Sequence, residues 1–506
     1  MALIPRVPYH VWASIPASFV ALLFGLDTGC IGPVTTMPSF ISTFGAFSPT
    51  VHGAVVSAAL IPGAITALIA GALVSRFGHA KLIALGSFIH AVGAAIECSS
   101  VGNLGNFVFG RLVKGIGTGL FLSNVFVQVS EASPLRARGV MMALPQFMTV
   151  SGLVLGYFIC YGTAKLGSSS AAWRLPLAID SGLGFLLSAS FWVTPSSPRW
   201  LASKGRVDEA LAVARRLDFD QAECDALVSA SFASDTQSDD HGRGMTLGET
   251  LRLTLIEFRQ AFSAPFRKRT LFGCFLMAMQ QFTGIDAVLY YAPILFTQAG
   301  LKGDQATFLA SGVTAIVILA ATVLATIFAN SWGRRTTSIV GGVLITVLML
   351  LMGSLYAANV IGENHRSEAG KWMILICIYL FAITFSCTWA VSFRTFLVET
   401  MPRKTRSSAS SLAQSCNWIA NYIVAFITPV FLSQASYGAY YMFAGCSLLC
   451  TVVIVLYMVE TKGYSLETIE QRYNERASNA TGSSAVRWFK LKGLRHRIHE
   501  SPSVAV

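Results

Sequence analysis

Long apolar stretches separated by short polar breaks run along most of the chain. Twelve of them reach about 20 residues, enough for a helix to cross a hydrocarbon layer of about 30 Å. They lie near 11–32, 54–75, 81–101, 106–129, 140–162, 173–193, 270–295, 305–329, 336–357, 371–394, 408–432 and 438–458. The pattern predicts an all-α membrane protein with twelve transmembrane helices. Six spans precede the polar stretch 194–269 and six follow it, so the expected organisation is an N-terminal six-helix half (1–193), a cytoplasmic linker (194–269), a C-terminal six-helix half (270–458) and a cytoplasmic tail (459–506). In the linker, Pro195-Ser196-Ser197-Pro198-Arg199-Trp200 and the apolar spacing from Val207 to Leu217 predict short helices along the inner face. Ser234 to Gly244 reads as a flexible connection, and the basic tail after about 470 reads as disordered.

The two halves are copies. Glu131, Arg138 and Gln146 recur as Glu399, Arg406 and Gln414, at a constant offset of 268 residues. In each copy the Glu and Arg follow a long apolar segment, and the Gln lies inside the next one. Polar side chains inside hydrocarbon are expensive and mark pathways or joints. Two parallel repeats of several spans each are the signature of a transporter with its site between the halves.

Composition narrows the class further. The chain is 54% hydrophobic and 12% charged, against roughly 25% charged residues in soluble domains. With the N-terminus inside, the outer loops hold only Lys165, Arg174, Lys302, Arg366 and Lys371 of the 37 basic residues, most of the others lying on the inner side. The positive-inside rule therefore places both termini in the cytoplasm. Spread over inner loops and tail, the net charge of +12 suits an anionic lipid surface, and no nucleic-acid partner is expected. The ten Cys lack paired metal spacing, so neither a disulfide framework nor a metal site is predicted. No nucleophile-and-base arrangement or phosphate-binding loop is present, so an enzyme is not expected and no cofactor is implied. Asn479-Ala480-Thr481 fits a glycosylation pattern but falls in the predicted cytoplasmic tail.

Seven motifs then occur in a recognisable order: Gly110-Arg111 with Gly115, Gly117 and Gly119; Glu131 with Pro134, Arg138 and Gly139; Pro198-Arg199-Trp200; Gln280-Gln281-Phe282-Thr283-Gly284-Ile285 followed by Tyr290-Tyr291; Gly333-Arg334-Arg335; Asn417-Trp418; and Glu460-Thr461-Lys462-Gly463. From about residue 12 to 470 the chain resembles the sugar porter family of the major facilitator superfamily, and Asp27-Thr28-Gly29 resembles fungal members. The resemblance implies transport of a sugar or related solute by alternating access, with a small-molecule substrate, a proton and the bilayer as partners, and a monomer in the plasma membrane. It further implies substrate binding by Gln146, Gln280, Gln281, Asn417 and Trp418, with Asn421 and Phe385 as further candidates. Amides suit sugar hydroxyls because they donate and accept without the desolvation cost of a charge, and an indole ring can stack on an apolar sugar face.

Asp27 and Arg111 are at similar depth from the outer ends of spans 1 and 4, so Asp27 should pair with Arg111 or take up a proton. In proton-coupled members the matching Asp is the proton site and the matching Arg its modulator. Glu131 with Arg138, and Glu399 with Arg406, lie at inner helix ends where ion pairs could latch the halves together; Arg334 and Arg335 join this gating set. The small residues Gly115, Gly117 and Gly119 allow close helix approach.

Departures from the family pattern bear on the substrate. Ser75 and Asn330 stand where inner-gate acids are usual, Ser196-Ser197 replaces the usual Glu between Pro195 and Pro198, and Val459 replaces a Pro. Asp286 occupies a site position usually held by Asn, and Arg394 one usually held by Trp. The two charges either face the central site or pair with each other. Facilitated diffusion of hexoses, uptake of a sugar acid and efflux of a specialised metabolite therefore stay open on this scaffold. A non-transporting sugar receptor is disfavoured by the short tail.

Overall fold

The computed structural model describes residues 8–192, 194–235, 247–264, 266–301, 303–328, 332–358, 361–362, 365–366, 368–401 and 406–462. The predicted tail beyond Lys462, most of the Ser234 to Gly244 connection, and Asn330 lie outside them. Among the described residues eleven helices are long and apolar enough to cross a membrane. Span 1 is Tyr9–Thr36, span 2 Pro49–Val74, span 3 His79–Ser99, span 4 Leu104–Glu131 and span 5 Leu135–Ala164. Span 7 is Arg267–Tyr290, span 8 Thr307–Phe328, span 9 Arg334–Ala357, span 10 Glu368–Leu397, span 11 Ser408–Gln434 and span 12 Tyr437–Tyr457.

The sixth predicted span differs. A helix does form there, Ala171–Ser188, continued by the 3-10 turn Ala189–Trp192. It carries Arg174 and Asp180 and so lacks the apolarity of the others, although it lies along span 3. Ser181 donates to the Ala91 carbonyl at 2.9 Å, and Asp180 is buried against His90. Burial in protein, not lipid solvation, accounts for the acid at this depth. The class is all-α; the one ladder described, Ile361–Gly362 against His365–Arg366, is a two-residue pair between spans 9 and 10.

Outward faces of the spans expose large apolar side chains, among them Leu186, Leu324, Ile327, Val347 and Leu456, as expected where lipid replaces water. Inward faces approach closely through small residues. A Cβ on Gly115 would strike the Ala59 carbonyl, and one on Gly117 the Gly86 carbonyl, so span 4 packs backbone to backbone on spans 2 and 3. The short linker helices Pro198–Ser203, Val207–Arg216, Gln221–Asp235 and Leu247–Ala261 lie at the end of the bundle where spans 2 and 4 finish. Val207–Arg216 has Asp208 and Glu209 in its first turn and Arg215 and Arg216 in its last, the arrangement a helix dipole favours. Trp200 Nε1 donates to the Val74 carbonyl at 3.0 Å, and Ser408 of span 11 donates to Glu257 at 2.8 Å, so the linker touches both halves.

Spans 7 and 10 are broken in mid-course. Span 7 runs as a helix from Arg267 to Gln281, turns at Gly284 (φ 85°), and resumes over Ile285–Tyr290 and Ala292–Gln298. The sequence pattern predicts one continuous span there, because its apolar residues run on through the break. Gly284 takes the left-handed conformation that a side chain resists. Span 10 breaks between Cys387 and Trp389. Discontinuous helices near the midplane are where transporters build solute sites.

Candidate functional site

The break in span 7 sets two amides at a helix end facing span 11. Gln281 donates to Asn417 Oδ1 at 3.1 Å, and Asn417 Nδ2 donates to Gln280 Oε1 at 3.2 Å and to the Met277 carbonyl at 2.7 Å. Gln280 in turn donates to the Trp389 carbonyl, at the break in span 10, at 2.9 Å. The amides thus form one relay across spans 7, 10 and 11. All are buried, and so is Asn421, one turn after Asn417. The relay leaves Gln281 Oε1 and Asn421 Oδ1 buried with no hydrogen-bond partner. Unfilled buried acceptors are costly unless a donor reaches them, and a hydroxylated solute carries such donors.

Across the seam, Arg394 of span 10 donates to Gln146 Oε1 of span 5 at 3.0 Å, linking the two halves. Its guanidinium also lies 5.8 Å from the ring centroid of Phe126 in span 4. Arg394 is exposed near the C-terminal end of span 10, and its bond to Gln146 places it on the seam between the halves. Asp286 lies in the first turn after the Gly284 break and is half-buried. Of the two alternatives left by the sequence, direct pairing is absent: no ion pair within 4.0 Å joins Asp286 to Arg394 among the described residues. Gln146 has taken the guanidinium instead.

The aromatic candidates are packed, not open. Trp418 lies 5.5 Å from Phe24 of span 1, centroid to centroid, and a Cβ on Gly63 of span 2 would meet its ring at 2.7 Å. The ring expected to offer a stacking face is wedged into the joint between the halves in this conformation. Phe385 is buried beside Phe381, 6.5 Å away.

In the N-terminal half Arg111 grips Asp27 with 2.7 and 2.9 Å bonds and donates to the Val56 carbonyl at 2.8 Å. Lys114, one turn further along span 4, is fully buried and reaches Asp27 at 2.9 Å, Glu97 at 2.8 Å and Asp180 at 3.0 Å. His90 of span 3 completes the cluster against Asp180. The expected pair is therefore the edge of a six-residue ionic cluster.

None of the described contacts of Glu131, Arg138 and Glu399 reaches the opposite half. Glu131 and Arg138 do not pair: Glu131 meets His79 at 3.5 Å and accepts from Ser197, while Arg138 donates to the Ser130 and Ser133 carbonyls at the end of span 4. Seven residues apart, the two are separated by the turn at Pro134, and the guanidinium reaches the orphan carbonyls of the helix end first. Glu399 pairs with Arg334 at 3.1 Å. The carboxylate of Glu460 accepts from the Arg334 and Arg335 amides at 2.8 and 3.1 Å, capping span 9, and Arg335 donates to the Val455 carbonyl. Arg406 opens the helix of span 11; its side chain, like that of Ser75, lies outside what is described.

At the opposite end the halves touch backbone to backbone. A Cβ on Gly32 of span 1 would strike the Tyr290 carbonyl of span 7, and one on Gly53 of span 2 the Phe426 carbonyl of span 11. Tyr291 donates to the Ala425 carbonyl at 2.7 Å, and its ring meets His52 edge-on at 5.5 Å. The end remote from the linker is closed, and at the linker end the described pairs Glu131–His79 and Glu399–Arg334 each lie within one half.

A family model described as "Sugar (and other) transporter" matches residues 13–473. The chain belongs to that family. Among similar proteins, the high-affinity hexose transporter HXT6 of Saccharomyces cerevisiae is 28% identical over 93% of this chain and 84% of its own. A structure of the proton:xylose symporter XylE bound to 6-bromo-6-deoxy-D-glucose is 25% identical, covers 92% of this chain and 99% of that one, and has a TM-score of 0.73. A partially occluded inward open form of XylE from E. coli shares the fold at 23% identity, with 90% and 100% coverage and a TM-score of 0.72. The protein is a multi-pass membrane transporter of the major facilitator fold, and not an enzyme.

For this sugar transporter family member the sequence finds the amides and the Asp27–Arg111 pair but misses His90, Glu97, Lys114 and Asp180. A signal existed. All four are ionisable residues inside predicted spans, Lys114 stands one turn from Arg111, and His90 and Glu97 are two turns apart on one face of span 3.

Proposed function

We propose that this transporter takes up a sugar or sugar-like solute across the plasma membrane together with a proton, working as a monomer with both termini in the cytoplasm. The carrying observation is the relay of Gln280, Gln281 and Asn417, with unfilled acceptors on Gln281 and Asn421, at the breaks of spans 7 and 10. Neutral amides with spare acceptors match the donors of a polyhydroxylated solute. The similar proteins named above carry hexoses or xylose, which supports the substrate class, and XylE is a proton symporter. With the linker end cytoplasmic, the closed outer end and unlatched inner pairs correspond to an inward-facing stage. Rocking of the six-helix halves, 1–193 and 270–458, about Gln146, Arg394 and the amide relay would open the site to the other side, with Glu131, Arg138, Arg334, Arg335, Glu399 and Arg406 regrouping at the inner gate.

A second reading, uptake of a sugar acid, is favoured by one observation. Arg394 is exposed on the seam and held by a neutral Gln, not by Asp286, which leaves a guanidinium able to meet a carboxylate. Uptake of labelled glucose, xylose, galacturonate and quinate into transporter-deficient cells, with and without an uncoupler, separates the readings. Accumulation of neutral sugars that the uncoupler abolishes is the expected result. Uptake indifferent to uncoupler and pH would replace symport by facilitated diffusion. Asp27→Asn should abolish accumulation and spare counterflow.

A further inference from the structure

Two opposite charges accompany the amide relay, and they do not meet each other. Asp286 follows the Gly284 turn of span 7 by two residues and lies beside the side chain of Gln281. Arg394 follows Trp389, whose carbonyl holds Gln280, by five residues in the second segment of span 10. Each is a charge whose field reaches the other, yet no ion pair within 4.0 Å joins them among the described residues. The neutral amides thus stand in company with two poles of opposite sign, held apart.

Both poles keep capacity for a partner. A guanidinium has five N–H donors, and the hydrogen bond described for Arg394 takes one of them to Gln146 Oε1. The Phe126 ring at 5.8 Å lies against the group without using a donor. Asp286 is half-buried, with the neutral Gln281 as its neighbour and no cation paired to it among the described residues. Polyhydroxylated solutes load these poles in four ways. A neutral sugar leaves both without a counter-charge. A sugar acid answers Arg394 but brings a second anion toward Asp286, and an amino sugar answers Asp286 but brings a second cation toward Arg394. Like charges repel, and more strongly in a protein interior than in water. A solute with one group of each sign meets both poles and adds no net charge to the site.

We propose that the site selects a zwitterionic sugar derivative, an amino sugar acid whose ammonium group is held by Asp286 and whose carboxylate is held by Arg394. The hydroxyls of the same solute fall to Gln281 and Asn421, whose Oε1 and Oδ1 are buried without a partner. The proposal rests on the amide relay being the binding site of a sugar-like solute, and it goes further by naming the charged groups that solute carries. Uptake of a plain sugar acid uses Arg394 alone; here Asp286 has a task as well, and charge-assisted bonds at both ends fix the orientation of the solute between them.

Purified full-length protein tests this by ligand-dependent thermal stabilisation, which reads binding to the folded form without requiring transport. The probes are four pyranoses related by two replacements: D-glucose, D-glucosamine, D-glucuronate and 2-amino-2-deoxy-D-glucuronate, in mildly acidic buffer that keeps the amines protonated. The zwitterion is expected to bind more tightly than each of the other three, on the order of ten-fold in Kd, as for a hydrogen bond to a charged group. Asp286→Asn should abolish its advantage over D-glucuronate, Arg394→Gln its advantage over D-glucosamine, and Asp286→Glu should keep both. A zwitterion that binds no more tightly than D-glucose overturns the proposal and leaves the sugar reading in place. D-glucuronate binding as tightly as the zwitterion overturns it in favour of a sugar acid, and an advantage unchanged in Asp286→Asn overturns it as well. Stabilisation by none of the four removes the proposal together with the sugar reading beneath it. Should Asp286→Asn fail to fold, the wild-type ranking decides alone.

Discussion

The two halves use their buried polar residues in different ways. The N-terminal half collects His90, Asp27, Glu97, Arg111, Lys114 and Asp180 into a cluster of paired charges, in which Glu97 Oε1 and Arg111 Nε stay without a hydrogen-bond partner. The C-terminal half buries neutral amides that leave acceptors unfilled. Charges so placed are neutral only as a set, so a change of one proton is felt by all of them. Amides carry no net charge and can wait for a solute without a counter-ion. In the proposed function the charged cluster would serve coupling and the amides recognition, with Gln146 and Arg394 as the polar contact across the seam.

Removing Lys114 should break the contrast most severely. Lys114→Met would leave Asp27 and Glu97 with Arg111 and Asp180 with His90, and loss of one partner from a buried ionic set costs about 3–5 kcal/mol. Thermal unfolding of the purified protein should show a large fall in Tm; an unchanged Tm would mean that the cluster does not hold the half together. The seam contact comes next. If Arg394 binds a carboxylate, Arg394→Trp should weaken competition by galacturonate and quinate by about 1.5–3 kcal/mol, the range for hydrogen bonds to charged groups, while glucose is little affected. Inhibition by neutral sugars alone, with rank order untouched by the mutation, eliminates the acidic substrate.

On the amide side, Gln281→Ala should leave the protein in the membrane and weaken apparent substrate affinity by about 1–3 kcal/mol, the cost of a lost buried hydrogen bond. A correctly located variant with wild-type KM would take Gln281 out of the site. The smallest effect is expected at the linker end. Glu131 meets His79 of its own half and Ser197 of the linker, so Glu131→Gln should shift the stability of this form by about 1 kcal/mol or less. A large loss of stability in that form would show that the pair matters without bridging the halves.

Eleven spans, the duplication, the amide positions and the Asp27–Arg111 pair were legible in the sequence, because length, apolarity and spacing are properties of the chain taken locally. The sixth helix was legible as a position but not as a type: Arg174 and Asp180 weaken its apolar signal, and the Asp is accommodated because it faces span 3. What only the tertiary structure decided is which distant side chains meet. Lys114 touches acids from spans 1 and 3 and the sixth helix at once, Arg394 selects Gln146 over Asp286, and Trp418 is wedged against Phe24 and Gly63. Span 7 likewise breaks at Gly284 though its apolar pattern runs straight through. The physical reason is common to all four. Lipid rewards any apolar helix equally, so the pattern fixes that a helix crosses, while burial of a polar group or a close approach is decided by the neighbouring helices, whose identity no local pattern records.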